Sequence, residues 1–97
     1  MQKLNSIGLT VILGVLILQT AANAESWICE YGNLVREISV ERATTDPAPC
    51  SVAYNKESEG LGSSVLWTAQ FDGAYCDYKA NGLAEKLTGL GWSCTAF

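Results

Sequence analysis

Four cysteines, Cys29, Cys50, Cys76 and Cys94, and a complete absence of histidine bound the chemistry open to this 97-residue chain. Without His the commonest general base, proton shuttle and metal ligand are gone together. A zinc site built on cysteine needs closely set pairs, and no C-x-x-C occurs. Nucleophilic catalysis needs a Ser, Cys or Lys beside a base. Ser58, Ser63 and Ser64 could be matched with Lys56 or Lys86, but no spacing joins any of them. Glu57 and Glu59 could share acid–base work only if burial raised one of their pKa values. They fall in a polar loop (NKESEGLGS, Asn55–Ser63) whose pattern is not that of an EF-hand. Gly60-Leu61-Gly62 is not followed by the helix that a phosphate-binding loop needs. No catalytic residue, metal ligand or cofactor site emerges, so a non-enzyme is expected.

The cysteines make better sense as staples. Residues 1–24 read as a cleaved signal peptide: Lys3 supplies the positive start, and Ile7–Leu18 is an apolar run. Ala22-Asn23-Ala24 puts small residues before a cut at Glu25. The run of about 12 residues is short of the roughly 20 that span a bilayer, so no stable membrane insertion is expected after cleavage. Cys29 lies beyond the position of a lipid-acceptor cysteine. Residues 25–97 then form one exported domain, periplasmic or secreted, with all four cysteines retained. An even count in a short exported domain is the signature of a disulfide framework. Staples are also needed, because below roughly 70–80 residues a single core seldom supplies more than about 3–5 kcal/mol. Loss of Lys3 takes the net charge from −4 to −5. That balance argues against nucleic acid and anionic membrane as partners.

The elements that must position the cysteines follow from periodicity. Trp27, Cys29 and Tyr31 alternate with Ser26, Ile28 and Glu30, Gly32-Asn33 signals a hairpin, and Leu34, Ile38 and Val40 continue an apolar face. A tight turn sets Cys29 opposite Arg36 and Trp27 opposite Ile38, which matches the two apolar faces. Arg42–Pro49 (RATTDPAP) reads as a loop. Cys50, Val52 and Tyr54 mark a third strand, and Val65, Trp67, Ala69 and Phe71 one face of a fourth. Asp72 can cap a helix from about Ala74 to Leu90, with Gly91 as its stop. Cys76, Ala80, Leu83, Leu87 and Leu90 form its apolar stripe, and Asn81-Gly82 is a local weakness inside it. Trp92-Ser93-Cys94 resumes as a short strand. The expected fold is α+β: an antiparallel meander of about four strands, one C-terminal helix packed on it and a short terminal strand.

Geometry then selects the cysteine pairing. Cys76 sits in the first helical turn, and Leu90 lies about 21 Å further along the axis. Four extended residues bring Cys94 back by at most about 13–14 Å, leaving a gap too long for a disulfide. In a simple meander, Cys50 and the helix start share one end of the sheet. Cys29, beside the first hairpin, and Cys94, beyond the helix end, share the other. Cys50–Cys76 and Cys29–Cys94 are the expected bonds.

Trp27, Trp67 and Trp92 fall on faces assigned inward, where aromatics commonly dominate a small core. Tyr75 and Tyr78 lie with Gly82 and Gly89 on the flank and back of the helix. Bare glycine backbone admits close approach and Tyr is a usual interface residue, so these four are the candidate partner-docking residues.

The motif order is Cys29-Glu-Tyr, Arg36-Glu-Ile-Ser-Val, Pro49-Cys50-Ser-Val-Ala-Tyr54, Leu66-Trp67-x-Ala69, Tyr75-Cys76 and Gly91-Trp92-Ser93-Cys94. It resembles a group of small, uncharacterised four-cysteine periplasmic proteins of Gram-negative proteobacteria, over nearly the whole of residues 25–97. The resemblance implies export and brings no activity with it. In size, export and acidity the chain is also similar to bacterial lysozyme inhibitors, with no inhibitory motif matched. The expected function is protein–protein contact in the cell envelope, with inhibition of a basic exported hydrolase as the alternative.

Overall fold

The computed structural model describes residues 25–97; the expected leader helix lies outside the described residues. The chain runs β1 (Ser26–Tyr31), β2 (Leu34–Arg42), β3 (Cys50–Asn55), β4 (Ser63–Ala69), α1 (Gly73–Gly89) and β5 (Ser93–Ala96). A single turn of 3-10 helix, Glu57–Glu59, interrupts the loop before β4. All strand pairings are antiparallel, and the sheet order is β4-β3-β2-β1-β5. The architecture is therefore the expected α+β meander, closed on its far side by the terminal strand.

The first hairpin shows why the chain pairs as it does. Gly32 supplies the positive φ of a two-residue turn (62°), and Cys29 faces Arg36 while Trp27 faces Ile38. That register puts Trp27, Cys29, Ile38 and Val40 on one buried face, which β3 extends with Cys50, Val52 and Tyr54. A shift by one residue would turn the whole set to solvent.

The helix begins and ends by recognisable devices. Asp72 accepts the Ala74 N–H at 3.1 Å with its side chain, which caps one orphan donor. At the other end Gly91 takes φ +103°, and the Gly91 and Trp92 N–H groups reach the Thr88 and Leu87 carbonyls. This glycine-dependent closure satisfies the last carbonyls and turns Trp92 back into the core. The helix is continuous through Asn81-Gly82.

Both disulfides form as expected. Cys29 and Cys94 are direct cross-strand partners with Cα atoms 4.0 Å apart. Cys50 at the start of β3 holds Cys76 in the first turn of α1, Cα to Cα 6.4 Å. Arg42 adds polar ties at that end, to Asp77 on the helix (2.7 Å), to Glu25 (3.3 Å) and to the Pro47 carbonyl.

Two expectations about the core are corrected. Leu90 is not part of the buried stripe: it is the C-cap, 64% exposed, and its backbone has left the helical spiral. The buried positions are Gly73, Cys76, Ala80, Ala84 and Leu87, with Leu83 half-buried beside them. Alanines at the centre let the helix lie close on the sheet, so Cys94 Sγ comes 3.8 Å from the Ala84 carbonyl oxygen. The second correction concerns β4. Val52 pairs with Trp67 but Ala53 pairs with Val65, so Leu66 is the extra residue of a bulge. The bulge breaks the alternation and turns Val65 outward, 57% exposed, while Trp67 and Ala69 remain half-buried. Phe71 lies past the end of the strand and is 95% exposed.

Candidate functional site

Of the groups that could have done acid–base chemistry, Glu59 is engaged in structural work. Arg36 stands on the core face of β2 and grips Glu59 with two nitrogens, Nε to Oε2 at 2.7 Å and Nη2 to Oε1 at 2.8 Å. Its Nη1 donates to the Tyr54 hydroxyl at 2.9 Å, and its plane lies over Trp92, 4.3 Å from the ring centroid. Trp92 in turn packs on Tyr31 with ring centroids 5.5 Å apart. Hydrogen bonds from Arg36 hold the Glu59 carboxyl below the usual carboxylate range, and the same bonds hold the guanidinium charged. A carboxylate so occupied pins the 3-10 turn to the sheet; it is not a free base. Sequence reasoning left Glu59 as loop acidity, because no spacing announces a partner on a strand more than twenty positions away.

Ser58 of that loop is engaged in the same way, whereas the Glu57 carboxylate is not. Ser58 Oγ accepts the Val35 N–H and donates to the Val35 carbonyl, both at 2.9 Å, so it satisfies β2 just beyond its last pair with β3, Glu37 with Asn55. Glu57 is exposed, and its N–H donates to the Asn55 side chain. Lys56 lies over the Tyr54 ring. Among the described residues no three Cys, Asp or Glu side chains gather as metal ligands.

A different feature stands out where α1 passes the free edge of the sheet. At about 100° per residue Tyr75, Lys79, Gly82 and Lys86 share the helix flank next to Leu83. An open groove of about 340 Å³ runs there, lined by Trp67 of β4 and by Tyr78, Lys79, Asn81, Gly82, Leu83, Glu85 and Lys86 of the helix. The Lys79 ammonium is held 5.3 Å from the Trp67 ring, 5.6 Å from Tyr75 and 6.0 Å from Tyr78. A Cβ added at Gly82 would meet nothing within 4 Å, so the groove is bare at that point. Two of the four candidate docking residues, Tyr78 and Gly82, line this groove, and Tyr75 touches it only through Lys79. Gly89 lies apart, at the last helical residue, exposed and also without neighbours. Trp67, which sequence reasoning placed inward, packs against the core cluster and also lines the groove.

Beside the groove, β4 occupies the end of the sheet order and its outer backbone groups pair with no strand among the described residues. From Gly60 to Phe71 there is neither a charge nor a proline. Leu61, Val65, Leu66 and Phe71, distributed along this stretch, are all exposed. Charge is segregated on the sheet as well. Arg36 and Arg42 are on the helix side, opposite Cys29 and Cys50, whereas Glu30, Glu37 and Glu41 alternate with them onto the uncovered face.

Fold and groove together define a two-disulfide α+β domain with a sheet edge that no charge or proline guards. Compared with known proteins, the chain matches no family model, no curated protein and no solved structure. Two disulfides fit an oxidising compartment. No helix among the described residues is long and apolar enough to cross a membrane.

Proposed function

We propose that the protein is an exported periplasmic module that works by contact with another protein and not by catalysis. The observation that carries this reading is the open β4 edge. Edge strands in monomeric proteins are ordinarily guarded by Lys, Pro, inward charges or a covering loop, because unpaired N–H and C=O groups invite pairing. This edge carries no charge or proline and exposes Val65 at 57% and Leu66 at 40%. A bulge is its single guard. An exposed apolar edge of this kind fits a surface that is covered when the protein is at work. The leader-like residues 1–24 and the resemblance to four-cysteine periplasmic proteins support the location.

The test is capture of partners from periplasmic extract by the oxidised wild type and by Val65→Lys, which guards the edge without entering the core. A partner held by the wild type and lost from Val65→Lys is the expected result. Repeated capture of nothing above background counts against the reading.

The uncovered sheet face favours a second reading, inhibition of a basic exported hydrolase such as lysozyme. Glu30, Glu37 and Glu41 present negative charge there without a cation on the same strand faces, which would steer a cationic enzyme. An equimolar inhibition assay at low and moderate salt decides it; no inhibition at either removes it.

A further inference from the structure

We propose that β4 and the adjoining flank of α1 form a peptide-binding cleft. An extended segment of a partner protein adds to β4 as a sixth strand. It places one apolar side chain on Trp67 and Leu83, and a carboxylate beside Lys79 and Lys86. The inference rests on the contact reading above and gives it a mode and a ligand chemistry.

Three independent observations meet at this cleft. The first is the backbone: β4 spans Ser63–Ala69 and its outer side pairs with no strand among the described residues, so an extended chain can continue the ladder there. Strand addition draws affinity from main-chain hydrogen bonds and specificity from pockets that take alternate side chains. The second is the shape. The groove beside β4 holds about 340 Å³, room for one or two side chains but not for a folded domain. Trp67 and Leu83 supply an apolar wall, and Gly82 leaves the helix backbone bare toward the groove.

The third observation is charge. In a domain with an acidic balance, the groove collects two lysines. Arg36 is held by Glu59 and Arg42 by Asp77 and Glu25. Among the described residues no carboxylate stands within ion-pair distance of Lys79 or Lys86. The one acid in the lining, Glu85, accepts instead from Asn81 Nδ2 at 3.3 Å. The rings of Trp67, Tyr75 and Tyr78 hold the Lys79 ammonium in place without neutralising it. A partner carboxylate is the complement that the fold itself does not supply. A cationic segment would meet two like charges, so the cleft selects against the partner class that the uncovered sheet face would attract.

The probe is a phage-displayed library of linear nonapeptides panned on the oxidised full chain. The best binder is then synthesised with a fluorescent label for polarisation titrations. Enrichment of sequences that alternate apolar and polar residues and carry an Asp or Glu is the expected result. Lys79→Glu combined with Lys86→Glu weakens the labelled peptide at least tenfold, and Gly82→Leu abolishes its binding. Gly82→Leu has open space for its side chain, so its thermal melt stays at or above that of the wild type. Bound peptide slows amide exchange in β4 and not in β5. The proposal is overturned if no sequence is enriched, if binding survives Gly82→Leu, if protection falls on β5, or if the edge proves to be filled by a second copy in sedimentation. A partner captured from extract equally by wild type and Gly82→Leu also overturns the cleft, while the contact reading itself stands.

Discussion

The Arg36 guanidinium carbon stands 4.3 Å from the centroid of the Trp92 ring, so a charged side chain on the core face of β2 is roofed by a residue of the turn that closes the helix. The contact joins three parts of the chain at once, because Glu59 from the loop before β4 holds the edge of the same guanidinium. Arg36→Lys keeps the charge but loses the planar fork and the stacking surface. The stacking alone is worth about 0.5–1 kcal/mol at a partly exposed site. A lower melting temperature by circular dichroism is expected, with the disulfides intact by peptide mapping. A melt identical to that of the wild type would show the cluster to be passive.

Acid should undo the same cluster in a defined direction. Glu59 has a carboxyl held below its unfolded value of about 4.3 by hydrogen bonds from Arg36. A group with a depressed folded pKa stabilises fully above its unfolded pKa, and the contribution disappears as pH falls through the folded one. Chemical denaturation at pH 6 is expected to show Glu59→Gln less stable than wild type. The two converge as the pH drops below about 4. A gap that stays constant down to pH 2 would place the effect in packing instead of ionisation.

Two glycines of the same helix are expected to respond oppositely to alanine. A Cβ at Gly73 would stand 2.6 Å from the Pro47 carbonyl oxygen and 2.5 Å from its Cβ, so backbone must move. Gly73→Ala is therefore destabilising by roughly 1–3 kcal/mol, the usual range for overpacking. At Gly82 nothing lies within 4 Å of the added methyl. Gly82→Ala gains helix propensity and stabilises by up to about 1 kcal/mol. Urea denaturation of the two variants beside wild type reads both signs in one experiment.

What the sequence made legible was whatever local periodicity decides. The Gly32-Asn33 turn set the first register, Asp72 and Gly91 marked the helix ends, and the resulting meander left one sterically reasonable cysteine pairing. The misassigned residues sit where an element's period is interrupted. Leu90 keeps its place in the helical count, but the backbone at that residue is already the cap. Val65 keeps its alternation in sequence, yet the bulge at Leu66 is a choice made across two strands and turns it to solvent. The groove was half legible: Tyr75, Tyr78 and Gly82 share a helix flank that sequence displays. Trp67 joins them because β4 is the last strand of the sheet, which no local pattern records.

The disulfides divide the remaining stability between the two ends of the helix. Cys50–Cys76 fastens the first turn of α1 to β3, and Cys29–Cys94 fastens the strand that follows α1 to β1. With sequence separations of 26 and 65, chain entropy assigns them about 3.5 and about 4.3 kcal/mol as upper, non-additive values. The core of a domain this small supplies roughly 3–5 kcal/mol, so neither bond is dispensable by a wide margin. Between the two anchors the helix contacts the sheet through Cys76, Ala80, Ala84 and Leu87, mostly small side chains that bury little apolar area. A helix of this length owes its persistence to that packing more than to propensity. Reduction is therefore expected to free α1, expose the Ala80–Leu87 face and remove cooperative unfolding well below the oxidised melting temperature. Thermal circular dichroism with and without reductant measures it, alongside the paired variants Cys50→Ala with Cys76→Ala and Cys29→Ala with Cys94→Ala. An unchanged melt after verified reduction would mean that the alanine-centred interface holds the helix by itself.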